Sequence, residues 1–157
     1  MNKRTVTVLM GGPDAEREVS IHSGTAVADA LQQTGKYEVR KLILDTPTAK
    51  EIENIQADII FPVLHGPFGE GGPLQKLLED AGKIFVGADS RSASIAMDKI
   101  ATKQMAVGLG IETPDWCVIS EEMPCIIEPP LVLKPINDGS SYDVALCFTK
   151  KEIEIAQ

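Results

Sequence analysis

Three groups of residues in this chain have types and spacing that can do chemistry. The first is Glu16, within Gly11-Gly12-Pro13-Asp14-Ala15-Glu16-Arg17-Glu18-Val19-Ser20. Paired glycines let a backbone turn tightly and approach a ligand closely. A loop built for phosphate would avoid Asp14, Glu16 and Glu18, so this one suits a cation or the amine of a small zwitterion. Acids at a helix start also complement the helix dipole with no ligand present, and at this point both readings of Glu16 stand. The second is His65, which opens the glycine-rich stretch His65-Gly66-Pro67-Phe68-Gly69-Glu70-Gly71-Gly72-Pro73. Its imidazole can donate to a ligand carboxylate, pair with Glu16, or serve as a structural histidine. The third is Lys134-Pro135-Ile136-Asn137-Asp138-Gly139-Ser140-Ser141. A lysine holds phosphate as a point charge, and Gly139, Ser140 and Ser141 offer N–H groups and hydroxyls that can wrap its oxygens. An ordinary polar hairpin turn has the same composition. Lys99 and Lys103, a helical turn apart, read as solvated helix surface, and His22 as structural.

Other chemistries are excluded by spacing. No His, Cys, Asp or Glu cluster has zinc spacing, so no metal ligands are assigned. There is no Gly-x-Ser-x-Gly elbow and no Walker loop, and Gly11-Gly12-Pro13 lacks the third glycine of the dinucleotide fingerprint. A net charge of −8, from 15 basic and 23 acidic residues, argues against a nucleic-acid partner, which needs clustered Lys and Arg. No apolar run approaches a membrane span of about 20 residues, and Met1-Asn2-Lys3-Arg4 leads straight into a strand without a signal peptide. A cytoplasmic protein without membrane association is expected. Cys117, Cys125 and Cys147 then read as reduced, buried thiols.

The positioning elements follow from periodicity. Thr5–Met10 reads as a buried strand, Asp14 as the N-cap of a helix running to Gly35, and Tyr37–Leu44 as a second strand. Thr48–Ile55 is a short helix. Ala57–Leu64, nearly all apolar at Ile59, Ile60, Phe61, Val63 and Leu64, suits a central parallel strand covered on both faces. A helix through Leu74, Leu77, Leu78 and Ala81 precedes a short strand, Ile84–Val86. Helical character then runs from Ser90 to Gly108. Near Thr113-Pro114 it gives way to clustered prolines, so a domain boundary is expected there: residues 1–112, then residues 113–157. Leu131–Leu133 and Asp143–Phe148 read as a hairpin around the Gly/Ser loop. Strands alternating with helices predict an α/β fold with an open parallel sheet.

Taken in order, these motifs resemble the D-alanine–D-alanine ligases of the ATP-grasp superfamily. The resemblance rests on Gly11-Gly12 with Glu16-Arg17-Glu18-Val19-Ser20 and Ser23-Gly24; His65-Gly66 with Gly69-Glu70, Gly72 and Leu74-Gln75; Met97-Asp98-Lys99 with Lys103; Thr113-Pro114; and Lys134-Pro135 with Gly139-Ser140-Ser141. It implies an open parallel Rossmann-like (pre-ATP-grasp) sheet followed by the start of an ATP-grasp central domain. It also implies ATP-dependent formation of D-alanyl-D-alanine through an acyl phosphate, for peptidoglycan precursors. Glu16 and Ser140 would then be catalytic. Glu16, Val19, Ser20 and His65 would bind the first D-alanine, and Lys99, Lys134, Gly139, Ser140 and Ser141 would bind ATP. Mg2+ would accompany ATP with its ligands outside this chain, and a homodimer is expected. Family members are about twice this length, and their phosphate loop reads Gly-Ser-Ser-x-Gly where this chain has Asp143. Gly71 stands where the family typically has Asp. The competing expectation is a non-catalytic truncated homologue that binds an amino acid or a protein partner.

Overall fold

The computed structural model describes residues 3–120 and 122–157. The chain divides into two compact units, Met1–Met97 and Asp98–Gln157. In the first, the elements are β1 (Arg4–Gly11), α1 (Arg17–Gln33), β2 (Tyr37–Leu44), α2 (Ala49–Glu53), β3 (Ile59–Pro62), α3 (Gly66–Glu70), α4 (Pro73–Asp80) and α5 (Ser90–Met97). The three strands form a parallel sheet in the order β2-β1-β3.

β1 is the central strand because its apolar residues serve both faces. Val6, Val8 and Met10 point one way and bury with Ala28 of α1. Leu9 points the other way, into a cluster with Ile52, Ile55, Ile60, Leu64, Leu74 and Leu78. A strand hydrophobic on both faces is what a parallel sheet covered by helices requires. The apolar run at 57–64 suits a central parallel strand, and β3, though only four residues long, has parallel neighbours on both sides: β1 on one, and an isolated bridge from Ile60 to Phe85 on the other. The strand expected at Ile84–Val86 is that bridge: Ile60 N–H donates to the Ile84 carbonyl at 2.8 Å, and Val86 N–H to the Ile60 carbonyl at 3.0 Å.

α1 lies close against β1 at Gly24, where a Cβ would fall 2.7 Å from the Met10 Cβ. Met10 is itself buried, so the contact has no flexible end to yield. The remaining helix starts are locally encoded. Thr48 and Glu51 form a capping box on α2, and backbone N–H donation holds the Glu51 carboxyl below the ordinary glutamate value.

The second unit contains α6 (Lys99–Gly108), β4 (Leu131–Leu133), β5 (Ala145–Cys147) and α7 (Lys150–Ala156). β4 and β5 pair antiparallel, with Val132 opposite Leu146, so the expected hairpin forms. Cys147 and Ile153 are its buried side chains. α7 carries a second capping box, Thr149 with Glu152, and N–H donation from Phe148 lowers the Glu152 pKa. Both boxes therefore act above the ordinary carboxylate range and weaken as pH falls through the lowered values. Asp98 caps α6 by accepting from Ile100 and Ala101 N–H, which separates α6 from α5. α6 thus goes with the second unit, whereas the sequence reading grouped it with the first. Among the described residues no helix is long and apolar enough to cross a membrane.

Because Gly24 sets the α1–β1 distance, Gly24→Val should destabilise the first unit by about 1–3 kcal/mol through overpacking. Urea denaturation checks this, and a midpoint equal to wild type would show that the helix is free to move away.

Candidate active site

The strand order places a topological reversal at β1. The chain leaves β1 for β2 on one side and returns to β3 on the other, so the loops after β1 and β3 are neighbours. Ligands in open parallel sheets bind at the carboxyl ends of the strands at such a reversal. Glu16 follows β1 and His65 follows β3, so the fold brings these two expected site residues to one end of one sheet. A wide surface depression of about 830 Å3 lies at the opposite, amino end, lined by Lys3, Thr5, Tyr37 and Asp58.

Ser20 joins the two loops. Its side chain is fully buried. The hydroxyl accepts from Gly11 N–H at 2.9 Å and donates to the Val63 carbonyl at 2.6 Å. Its backbone N–H donates to the Glu16 carbonyl at 2.9 Å, which places Glu16 one helical turn before it. The hydroxyl is committed inside the protein, so Ser20 acts here by holding the loops. Val19 beside it is exposed, and Glu16 is half-buried.

Arg17 fastens the same turn from outside. Its guanidinium donates to the Gly12 carbonyl at 3.1 Å and the Leu44 carbonyl at 2.7 Å, and pairs with Asp45 at 2.7 Å. Asp14 was expected to cap α1. The residue at the cap position is Glu16, with no side-chain cap bond. The Asp14 carboxylate instead accepts from Phe68 N–H at 2.9 Å, across to the second glycine-rich loop. A carboxylate beside a helix start can bind local or distant N–H groups, and here the open first turn of α3 is the better donor.

Within that second loop, Glu70 accepts from Gly66 N–H at 3.0 Å and lies 3.5 Å from His65 Nδ1. Nδ1 thus faces Glu70, while Nε2 is buried with no hydrogen-bond partner among the described residues. A buried nitrogen left unpaired is costly and calls for an explanation. Gln75 donates to the Gly69 carbonyl at 2.7 Å and supports the loop from α4.

The lysine and serine motif belongs to the second unit. Lys99 donates through its backbone N–H to the Ile136 carbonyl at 3.1 Å, and its ammonium donates to the Ile136 and Asp138 carbonyls. Lys103 is held by Thr113 Oγ1 at 2.6 Å and the Pro114 carbonyl at 2.8 Å. Neither is the loose surface lysine that helical spacing suggested. Lys134 is exposed at the end of β4. In the loop, Ser140, Ser141 and Asp143 have φ of 50, 60 and 52°, and Tyr142 N–H closes a turn on the Gly139 carbonyl at 3.1 Å.

A family model described as "D-ala D-ala ligase N-terminus" matches residues 40–88. A D-alanine–D-alanine ligase of Methylacidiphilum infernorum is 39% identical over 153 residues, which is 98% of this chain and 50% of that protein. One from Aquifex aeolicus is 37% identical, covering 95% of this chain and 52% of its own length. The solved Bacillus anthracis ligase superposes with a TM-score of 0.84 at 33% identity, covering 97% of this chain and 52% of that one. The chain belongs to the D-alanine–D-alanine ligase family. It spans about half the length of the family members it matches and corresponds to their N-terminal half. Its α/β architecture with a parallel sheet is that of these ATP-grasp ligases.

Sequence reading missed Arg17, Asp14 and Glu70 as the groups that hold the family's two glycine-rich loops. Arg17 carried a usable signal, since a cation in a helix's first turn opposes the dipole unless it has carbonyls to bind. Ser20→Ala should leave Gly11 N–H and the Val63 carbonyl unsatisfied and cost about 1–3 kcal/mol. Denaturant titration measures this, and a loss below experimental error would show that the two loops do not depend on the hydroxyl.

Proposed function

We propose that the chain is the amino-terminal half of a ligase that joins two D-alanine molecules with ATP, supplying the dipeptide for peptidoglycan precursors. In this reading the first unit takes the first D-alanine. Glu16 holds its ammonium, and Val19 and the Ser20 turn support that contact. His65 stands at the far side, with Nε2 left for a ligand atom because Nδ1 faces Glu70. That unpartnered buried nitrogen, at the carboxyl end of β3, is the observation that carries the reading.

The second unit takes the nucleotide phosphates. Lys99 and Lys134 supply positive charge, and the Gly139, Ser140 and Ser141 loop supplies N–H groups and hydroxyls. A related ligase of Bacillus anthracis, 30% identical and superposing with a TM-score of 0.83 over 99% of this chain and 52% of that one, is solved in complex with ATP. ATP supplies the phosphoryl group that activates a carboxylate. This chain's contribution is positioning and charge neutralisation. Among the described residues no three His, Cys, Asp or Glu side chains come together to hold a metal. Magnesium bound with ATP would take its protein ligands from elsewhere. A cytoplasmic location and a homodimer go with this reading.

The second reading, a non-catalytic homologue that binds an amino acid or a protein partner, is favoured by Asp143, which puts a carboxylate in the loop expected to meet phosphate. The coding sequence immediately downstream of Gln157 separates the two. An open frame carrying further acids and Asn supports the ligase, and a stop codon supports the homologue.

Calorimetric titration of the purified chain should show saturable D-alanine binding that L-alanine does not reproduce. Glu16→Gln should weaken it about tenfold or more, as expected for loss of a charge-assisted bond. An unchanged affinity in that variant would remove Glu16 from the site. Phosphate release from MgATP by residues 1–157 alone should show no dependence on D-alanine, and robust turnover abolished by Lys134→Ala would contradict this. Asp143→Gly should tighten ATP binding about three- to tenfold by removing a like charge from the phosphate loop, and fluorescence titration with a nucleotide analogue reads the change.

A further inference from the structure

We propose that Cys117 and Cys125 are a dithiol modification site that closes to an intramolecular disulfide when exposed to a small disulfide oxidant. The expectation of three buried thiols holds for Cys147 alone, which is 1% exposed. Cys117 and Cys125 are half-buried, and their sulfurs lie 3.8 Å apart. A turn between them explains the approach. Ser120 and Met123 exchange both backbone hydrogen bonds, at 3.0 and 3.1 Å, so the flanking arms run antiparallel and bring the two cysteines face to face.

A disulfide bond is about 2.05 Å long, so the sulfurs must approach by rather less than 2 Å. The described residues from 111 to 130 contain no helix or strand, which leaves the arms free to make that adjustment. Besides facing Cys117, the Cys125 thiol makes a weak contact to the Ile127 carbonyl at 3.5 Å. Among the described residues no third metal-ligating side chain joins the pair.

The oxidant can be glutathione disulfide. The thiolate of one cysteine attacks it and forms a mixed disulfide, releasing one glutathione. The second cysteine then attacks the protein sulfur of that mixed disulfide, and the second glutathione leaves. Two S–H bonds and one S–S bond are lost, and one protein S–S bond and two glutathione S–H bonds are formed. The second step is intramolecular at contact distance, so the mixed disulfide does not accumulate. Closure would lock the turn that receives the Gln157 side-chain amide on the Ser120 carbonyl at 2.8 Å.

The test is intact mass and thiol counting on the full chain after exposure to glutathione disulfide. The expected product loses the mass of two hydrogens, and its free thiols fall from three to one. Glu121 and Glu122 lie between the cysteines in sequence. Cleavage after them should give two peptides joined only by the new bond and separated by reductant. Cys147→Ser should close as the wild type does, and Cys117→Ser should instead retain a glutathione adduct on Cys125. Stable glutathione adducts on both cysteines of the wild type, disulfide-linked dimers, or three remaining thiols would each overturn the proposal.

Discussion

The Ser20 hydroxyl sits between the Gly11 N–H and the Val63 carbonyl, and the rest of the first unit's functional end depends on that arrangement. Parallel strands bring their carboxyl ends together but leave the outgoing loops free to diverge. One buried hydroxyl, accepting from one strand end and donating to the next, removes that freedom. It sits on the inner face of α1, so it also fixes the helix against both strands. Glu16 lies one turn earlier on the same helix and inherits the constraint. A buried hydrogen bond contributes modestly when made, but a partner left unpaired costs about 1–3 kcal/mol. That asymmetry makes a small polar residue an effective pin in an apolar setting.

The charges around the pin are arranged to reinforce it. Arg17 is out of place electrostatically at a helix start, yet the carbonyls of Gly12 and Leu44 converge there with Asp45. It draws the first glycine turn toward the end of β2. Asp14 reaches the other way and ties the same loop to α3 through Phe68 N–H. The acid-rich loop is thus not uniformly aimed at a ligand. Asp14 is engaged structurally, while Glu16 stands at the junction between the two ties. Glu70 lies 3.5 Å from His65 Nδ1 within the second glycine-rich loop.

The alternation of strands and helices was legible because burial on both faces of β1 fills in its apolar alternation from Val8 to Met10, and because glycines mark the loop starts. What stayed hidden depends on contacts between distant residues. Asp14 has the composition of an N-cap, and nothing local reveals that its better donor lies 54 positions away. The resemblance puts Ser20 in the substrate-binding turn that supports Glu16, and nothing local reveals that its buried hydroxyl ties two loops together. The cysteine spacing carried no signal either, since only the turn at Ser120 and Met123 makes residues 117 and 125 neighbours.

The loop after β4 separates backbone shape from charge. The family pattern has glycine where this chain has Asp143, and Asp143 adopts φ of 52°. That left-handed conformation is the one glycine takes without strain and Asp tolerates at a cost of about 1–2 kcal/mol. Asp143 thus holds a backbone conformation that suits glycine while carrying a carboxylate. Ser140 and Ser141, also left-handed, leave three non-glycine residues in strained backbone within a single turn. Strain of this kind persists only when the surroundings over-determine the conformation. Lys99, whose ammonium binds the Ile136 and Asp138 carbonyls just before the turn, is one contact that holds this loop. In the proposed reading, the Lys99 charge would offset part of the repulsion that the Asp143 carboxylate adds against phosphate.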